Sequence, residues 1–105
     1  MPDIAIEIDK DKLRDFCRKW KITEFALFGS ATRPEEFRED SDVDVLARFA
    51  PDAGWTLFDW VTMEEDLAAI FGRPVDLVER EAVEQSDNRY RRRSILNSAV
   101  LVDVA

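Results

Sequence analysis

Two aspartates lie inside a strand-like run of the sequence, and they constrain the fold more than any other feature. The run from Asp42 to Phe49 reads DVDVLARF. Strand interiors disfavour aspartate, and burial of an unpaired carboxylate costs several kcal/mol or more. Successive strand side chains point to opposite faces, so Asp42 and Asp44 share one face while Val43 and Val45 share the other. The pattern predicts a strand with one packed face and one acidic face.

Hydrophobic periodicity predicts the elements that surround this strand. In chain order they are a helix capped by Asp9 or Asp11, a strand over Ile22–Phe28, the strand over Asp42–Phe49, a helix over Thr56–Phe71, a strand over Val75–Arg80, a helix over Asn88–Ser98 and a short strand within VLVDVA. This order predicts an α+β fold, a small mixed β-sheet covered by helices. The 105 residues fit one domain that spans 1–105.

Helical spacing also predicts which side chains face the core. In the first helix these are Leu13, Phe16, Cys17 and Trp20, and in the second they are Leu57, Trp60, Val61, Leu67, Ala68 and Phe71. Thr56 is suited to cap the second helix and Gly72 to end it. We expect Glu64, Glu65 and Asp66 to form an exposed face, and Tyr90 to be a packed residue of the last helix.

Composition excludes several classes of site. The chain contains no histidine and a single cysteine, Cys17, which excludes histidine-based triads, the usual zinc sites and a disulfide framework. A net charge of −8 disfavours non-specific nucleic-acid binding, which depends on basic residues. No apolar run is long enough for a membrane span, and the N-terminus does not resemble a signal peptide, so we predict a cytoplasmic protein.

A third acid follows on the next predicted strand. If that strand lies beside the first acidic one, Asp76 joins the face that carries Asp42 and Asp44. The two aspartates of the first strand would have Cα atoms roughly 6.5–7 Å apart, a spacing suited to a pair of Mg²⁺ ions that also bind phosphate. The alternative is that the acids lie solvated at strand ends, which is the commoner outcome for an isolated D-x-D.

A glycine and a serine follow the Ile22–Phe28 run. Without a Cβ, Gly29 allows a phosphate to approach the backbone, and Ser30 can donate its hydroxyl and its N–H to phosphate oxygens. Arg33 lies about one helical turn later and could bind the same anion. The ordered combination of strand, Gly-Ser, Arg and S-D-x-D is more specific than any of its parts.

This combination, Gly29-Ser30-Ala31-Thr32-Arg33 followed by Ser41-Asp42-Val43-Asp44, resembles the signature of the DNA polymerase β-like nucleotidyltransferase superfamily. The short length, the strand with Asp76 and the basic tail are similar to its minimal branch, the MNT-type proteins. Many members of this branch are antitoxins paired with a HEPN-domain toxin.

The resemblance implies a transfer of nucleotides that depends on two Mg²⁺ ions. Asp42 and Asp44 would hold the ions that bind the nucleoside triphosphate, and Asp76 would bind the catalytic ion and help to deprotonate the acceptor. Nucleotide-binding residues would be Gly29, Ser30, Arg33 and Ser41. In the antitoxin branch, the implied reaction transfers AMP from ATP to a tyrosine hydroxyl of the HEPN toxin. Pro34 and a segment one residue longer between Arg33 and Asp42 depart from the usual pattern.

Two other functions remain open from the sequence. The chain could neutralise a partner by binding alone, or transfer nucleotides to a small molecule or an RNA end. The short chain has little material for a second substrate, so we expect the acceptor to come from a HEPN-type toxin or from an oligomer interface, with homodimers and hetero-oligomers both possible. The basic group Arg89, Arg91, Arg92 and Arg93 fits a solvated helix face with internal ion pairs, or a contact with the triphosphate or a partner.

Overall fold

The computed structural model describes residues 8–29 and 42–102 of the chain. The helices are α1 (Lys10–Lys19), α2 (Leu57–Phe71), α3 (Arg80–Glu84) and α4 (Arg89–Ser98), and the strands are β1 (Ile22–Phe28), β2 (Val43–Phe49), β3 (Val75–Glu79) and β4 (Val100–Leu101). The strands form one sheet in the order β3-β2-β1-β4. β2 and β3 are parallel and the other pairs are antiparallel. The predicted α+β class with a small mixed sheet is confirmed.

Helices cover both faces of this sheet. On one face α1 and α2 form the larger core with residues that include Leu13, Phe25, Val43, Val45, Met63 and Leu67. On the other face α3 and α4 form a smaller core of Ala26, Phe28, Leu46, Val83 and Ile95. Alternation along β2 produces this division, because Val43 and Val45 point to one side and Leu46 to the other. Both valines are fully buried, which confirms that they face the core.

Local signals decide where the helices begin and end. Asp9 caps α1 by accepting a hydrogen bond from the Lys12 N–H at 3.2 Å. Thr56 caps α2 in a reciprocal capping box with Asp59, and Gly72 ends the same helix in the left-handed conformation. None of the helices in residues 8–29 and 42–102 is both long and apolar enough to cross a membrane.

The predicted core face of α1 is confirmed. Leu13, Phe16, Cys17 and Trp20 are all buried. Burial raises the pKa of the Cys17 thiol to about 12, because the thiolate would lose its hydration in an apolar surrounding. Cys17 is therefore a core residue rather than a nucleophile.

The predicted core face of α2 is partly wrong. Leu57 is 86% exposed and Val61 is 53% exposed, whereas Met63, which was not predicted, is fully buried. The buried stripe consists of Met63, Leu67 and Phe71, at i, i+4 and i+8. Because each residue turns the helix by about 100°, Leu57 and Val61 lie roughly 80–120° around the helix from Leu67. Because α2 has many apolar residues, more than one of its faces could have been buried, and packing on the sheet selected the face with Met63, Leu67 and Phe71.

Three further expectations need correction. β3 ends at Glu79, and Arg80 begins the short helix α3, which the sequence did not predict. Tyr90, in α4, is not a packed residue, since it is 92% exposed. Finally, the acids of α2 are more than surface charge: Asp66 accepts a hydrogen bond from the Trp20 Nε1–H at 3.4 Å.

Candidate active site

The sheet brings the predicted acids together at one end. In the parallel pairing of β2 with β3, Asp44 lies directly opposite Asp76, and Val43 lies opposite Val75. Asp42 immediately precedes β2. The structure thus places Asp44 and Asp76 on neighbouring strands, with Asp42 just before β2, all at the same end of the sheet. The sequence could predict this arrangement only on condition that the two strands were neighbours.

One hydrogen bond supports this register, and a second attaches β3 to a helix. The Val43 N–H donates to the Pro74 carbonyl oxygen at 2.9 Å, which aligns the start of β2 with the start of β3. The Leu77 N–H donates to Glu64 Oε2, also at 2.9 Å, which attaches the outer edge of β3 to α2. Glu64 therefore has a structural role next to the site, in contrast to the expectation that it was only a surface residue.

Asp44 and Asp76 share the face that carries α3 and α4. Leu46 follows Asp44 by two residues and belongs to the core beneath α4. Val78 follows Asp76 by two residues and packs against the same core. Side chains two residues apart in a strand point the same way. The two acids therefore lie on the sheet face that α3 and α4 cover, next to the apolar residues of that face and closer to the end of the strands.

The acids also affect one another electrostatically. Asp44 is half-buried, whereas Asp42 and Asp76 are exposed. Burial raises the pKa of the Asp44 carboxyl, and the negative charges of Asp76 and Asp42 raise it further. Ionised Asp44 is thus destabilised by lost hydration and by repulsion, and a cation would relieve both.

The end of β1 completes the site. Phe28 is the antiparallel partner of Asp44, so Gly29 lies beside that carboxylate. Gly29 has a φ of +69°, in the left-handed region, and a Cβ added there would lie 2.5 Å from Asp44 Oδ2. Only glycine satisfies both the conformation and the close approach. This finding gives a structural reason for the glycine of the Gly-Ser pair.

Ser98 connects α4 to this turn. The Gly29 N–H donates to Ser98 Oγ at 3.4 Å, and the Ser98 hydroxyl donates to the Ile95 carbonyl oxygen at 3.2 Å. The last turn of α4 is therefore attached to the backbone beside Asp44. Nothing in the local sequence distinguishes Ser98 from other polar residues of α4, because its contact with Gly29 exists only in the folded chain.

The described residues form only part of the predicted site. Ser30, Arg33 and Ser41, together with the departure at Pro34, lie outside the described residues. Within 8–29 and 42–102, no three Asp, Glu, Cys or His side chains are arranged so as to hold a metal ion. The three aspartates thus share one end of the β2–β3 pair, but their carboxylates do not form a ready-made three-ligand site.

Comparison with known proteins decides the family. The sequence profile of the nucleotidyltransferase domain matches residues 10–102, nearly the whole chain. The chain belongs to the nucleotidyltransferase domain family. It is an enzyme of the nucleotidyltransferase type, and its resemblance to the minimal branch is confirmed. The acids, the glycine turn and the parallel β2–β3 pair lie within the matched region.

Relatives in this family are named as protein adenylyltransferases. This nucleotidyltransferase is 36% identical over 74 residues to the protein adenylyltransferase MntA of Thermococcus cleftensis, covering 70% of this chain and 69% of the relative. It is 31% identical over 84 residues to a protein of Methanocaldococcus jannaschii assigned as a protein adenylyltransferase, covering 80% of each chain.

Solved structures show the same fold. A structure assigned to the minimal nucleotidyltransferases has a TM-score of 0.67 and 29% identity, covering 89% of this chain and 88% of the other. A toxin–antitoxin structure with AMP-PNP has a TM-score of 0.66 and 19% identity, covering 90% of this chain and 72% of the other. A toxin–antitoxin MntA–HepT structure has a TM-score of 0.58 and 17% identity, covering 88% and 67%.

Proposed function

We propose that this nucleotidyltransferase uses Mg²⁺ and ATP to transfer AMP to a tyrosine hydroxyl of a partner HEPN-type toxin, and so acts as its antitoxin. The observation that carries this proposal is the register of Asp44 against Asp76, with Asp42 on the same strand end. Carboxylates at the same end of two adjacent strands are suited to hold hard divalent cations and the triphosphate bound to them.

The donor set fits magnesium. All three acids offer oxygen ligands, which Mg²⁺ prefers. Burial, and then the negative charges of Asp76 and Asp42, raise the pKa of the Asp44 carboxyl, and a bound cation would oppose that effect. Asp42 and Asp44 would hold two ions, with Asp76 as a ligand of the catalytic one. When bound, Mg²⁺ supplies positive charge that stabilises the phosphate oxygens of the transition state.

The remaining residues would bind the nucleotide and move one proton. Gly29, with Ser30, Arg33 and Ser41, would contact the phosphates, and the left-handed turn at Gly29 lies directly beside the Asp44 carboxylate. Asp76 is exposed and would help to take the proton of the acceptor hydroxyl. As the tyrosine oxygen forms its bond to the α-phosphorus, the bond from that phosphorus to the β-phosphate oxygen breaks and pyrophosphate leaves. This chemistry requires no histidine.

The identity of the acceptor is inferred from the relatives. Two related proteins are named as protein adenylyltransferases, and structural neighbours are toxin–antitoxin complexes, one of them with AMP-PNP. These names and complexes support a protein acceptor, and specifically a toxin partner.

The experiment detects AMP transfer by intact mass spectrometry of the acceptor protein. The purified chain is incubated with Mg²⁺, labelled ATP and the product of the neighbouring gene. We expect mass increments of AMP on that product, and their loss in Asp42→Asn/Asp44→Asn. Asp11→Asn/Asp15→Asn on α1 changes the net charge equally and should keep full activity. Peptide mapping should place the label on a tyrosine.

Each alternative function gives a different result. A stable complex that neutralises the partner without an increment, and that survives Asp42→Asn/Asp44→Asn, would establish neutralisation by binding and overturn the transferase proposal. Label incorporated into RNA ends or a small molecule, with none on the protein, would establish a different acceptor. Label on serine or threonine would overturn the tyrosine assignment alone.

A further inference from the structure

The first turns of α4 carry cationic and aromatic side chains that the fold itself does not use. We call Arg89, Tyr90, Arg91 and Arg93 the α4 basic surface. All four residues are exposed. In contrast, Arg92 is half-buried and donates through Nη1 to the Ser86 carbonyl oxygen at 3.2 Å. Arg92 thus attaches α4 to the end of α3, while its neighbours extend outward.

The arginines of this surface lack the ion pairs expected of a solvated helix face. Within residues 8–29 and 42–102, the guanidinium groups of Arg89, Arg91 and Arg93 make no hydrogen bond or ion pair with the chain. Arg48 binds both carboxylate oxygens of Glu84 at 2.9 Å, and Lys21 pairs with Asp52 at 3.3 Å, whereas Lys10, Lys12 and Arg18 on α1 have no ion pair among the described residues either. The three α4 arginines are grouped within five residues of a chain whose net charge is −8.

Two concave sites adjoin the surface. A cavity of about 190 Å³ lies between β3, α3 and α4, and its walls are Val78, Ala82, Val83, Ser86, Arg91 and Arg92. A second depression, of about 270 Å³, is lined by Arg89, Tyr90 and Arg93. The first is mainly apolar with cationic groups at its rim. It suits an apolar side chain flanked by negative charge.

The cavity also lies close to the acids. Val78, in its wall, and Asp76 are two residues apart on β3 and point to the same face, so their Cα atoms are roughly 6.6 Å apart. A polypeptide held in the cavity would reach Asp76 with its next two or three residues. At the other end of α4, Ser98 contacts Gly29. The helix therefore connects the basic surface to the phosphate-binding turn.

We propose that the α4 basic surface and its cavity bind an acidic, extended segment of the acceptor protein and present the neighbouring hydroxyl to Asp76. Charge complementarity decides the occupant: an acidic segment gains from the unpaired arginines, and the exposed Tyr90 and the arginines are residue types that dominate binding at interfaces. The strongly negative remainder of the chain would repel nucleic acid. This inference rests on the proposed function, since it concerns the same acceptor.

The test reverses two charges on α4. Arg89→Glu/Arg91→Glu places acids at the first and third positions of the helix, where the helix dipole favours them, so α4 should remain folded. Lys10→Glu/Lys12→Glu is the matched control, because it changes the same positions of α1 by the same charge on the other face of the sheet. Both variants should keep the melting temperature of the parent.

Four quantities are measured with the product of the neighbouring gene: its Kd without nucleotide, and, for AMP transfer, the acceptor KM, the KM for ATP and kcat. We expect Arg89→Glu/Arg91→Glu to raise the Kd and the acceptor KM at least tenfold, with kcat and the KM for ATP within about twofold, and the effect to shrink at high salt. The α1 control should leave all values within about twofold of the parent.

The outcomes separate this inference from the proposed function. Unchanged Kd and acceptor KM in the α4 variant would overturn the docking proposal while AMP transfer stands. A raised KM for ATP with an unchanged acceptor Kd would show that the arginines bind nucleotide. A change of oligomeric state alone would show that they bind a second copy of the chain. Either result would overturn the docking proposal. A tenfold loss of binding without AMP transfer in the parent would support docking while the transferase proposal fails.

Discussion

Gly29 and Asp44 approach so closely that a Cβ on residue 29 would lie 2.5 Å from Asp44 Oδ2. No side-chain carbon fits at that distance, so the glycine turn and the half-buried carboxylate must be considered as one unit. Gly29 provides the turn next to the proposed phosphate site, and Asp44 the charge next to the proposed cation site. The contact predicts that a single methyl group at Gly29 would impair both.

Gly29→Ala should therefore reduce AMP transfer by well over tenfold. The added methyl must displace Asp44 or the turn, and the left-handed φ of +69° adds strain of about 1 kcal/mol. Gly54→Ala is the matched control, since Gly54 has a φ of +57° and nothing within 4 Å of an added Cβ. Both variants should show a similar fall in melting temperature from backbone strain, but only Gly29→Ala should lose transfer. Equal activity of the two variants would contradict this account of the contact.

Asp44→Asn should make the folded protein more stable at neutral pH. Because the folded-state pKa of Asp44 is raised, mainly by burial and then by Asp76 and Asp42, its ionised form destabilises the fold. The destabilisation is fully present above the folded pKa and disappears as the pH falls below the unfolded value of about 4. Melting temperatures measured from pH 7.5 to 3.5 without divalent cations should show an advantage of Asp44→Asn that vanishes toward acid. An advantage that grows toward acid would have the wrong sign.

Mg²⁺ should stabilise the parent chain and have little effect on the variant without the acids. A ligand that binds only the folded state stabilises it by about 2.7 kcal/mol at 100 times its Kd. Titration of Mg²⁺ in a thermal-shift experiment should raise the melting temperature of the parent, and EDTA should reverse the change. Asp42→Asn/Asp44→Asn should show no such rise. A rise of equal size in both proteins would place the cation elsewhere.

Leu67→Ala and Leu57→Ala should differ strongly in stability. Leu67 is fully buried in the core against the sheet, and its truncation should reduce the free energy of unfolding by about 2–5 kcal/mol. Leu57 is 86% exposed, so the same change there should cost less than about 0.5 kcal/mol. Urea denaturation monitored by circular dichroism measures both. Similar losses of stability would mean that Leu57 is also buried, as the helical spacing of the sequence predicts.

Ser98→Ala should slow AMP transfer about threefold to tenfold, because it removes an acceptor that orients the Gly29 N–H, a hydrogen bond worth about 0.5–1.5 kcal/mol. Ser94→Ala, an exposed change on the same helix, is the control and should leave the rate unchanged. Since Ser98 acts through Gly29, the KM for ATP should rise more than the Kd for the partner. Equal effects of the two serine changes would exclude this positioning role.

Much of this protein could be predicted from local sequence, because the responsible interactions are themselves local. The caps at Asp9 and Thr56 and the stop at Gly72 depend on hydrogen bonds and backbone preferences within one helical turn. The opposite facing of Asp44 and its valine neighbours follows from strand alternation alone, and the burial of Val43 and Val45 confirms their side of it.

The tertiary structure decided what depends on residues far apart in the chain. Pairing of β2 with β3 brings Asp76 opposite Asp44, although 31 residues separate the two positions in the sequence. Packing against the sheet selected Met63 over Leu57 on α2, because an apolar-rich helix has more than one possible buried stripe. The contacts of Gly29 with Asp44 and Ser98 join three separate segments. Local patterning along the chain identifies the acids and the glycine of the candidate site, whereas long-range packing sets their relative positions, since no local preference specifies distances between segments.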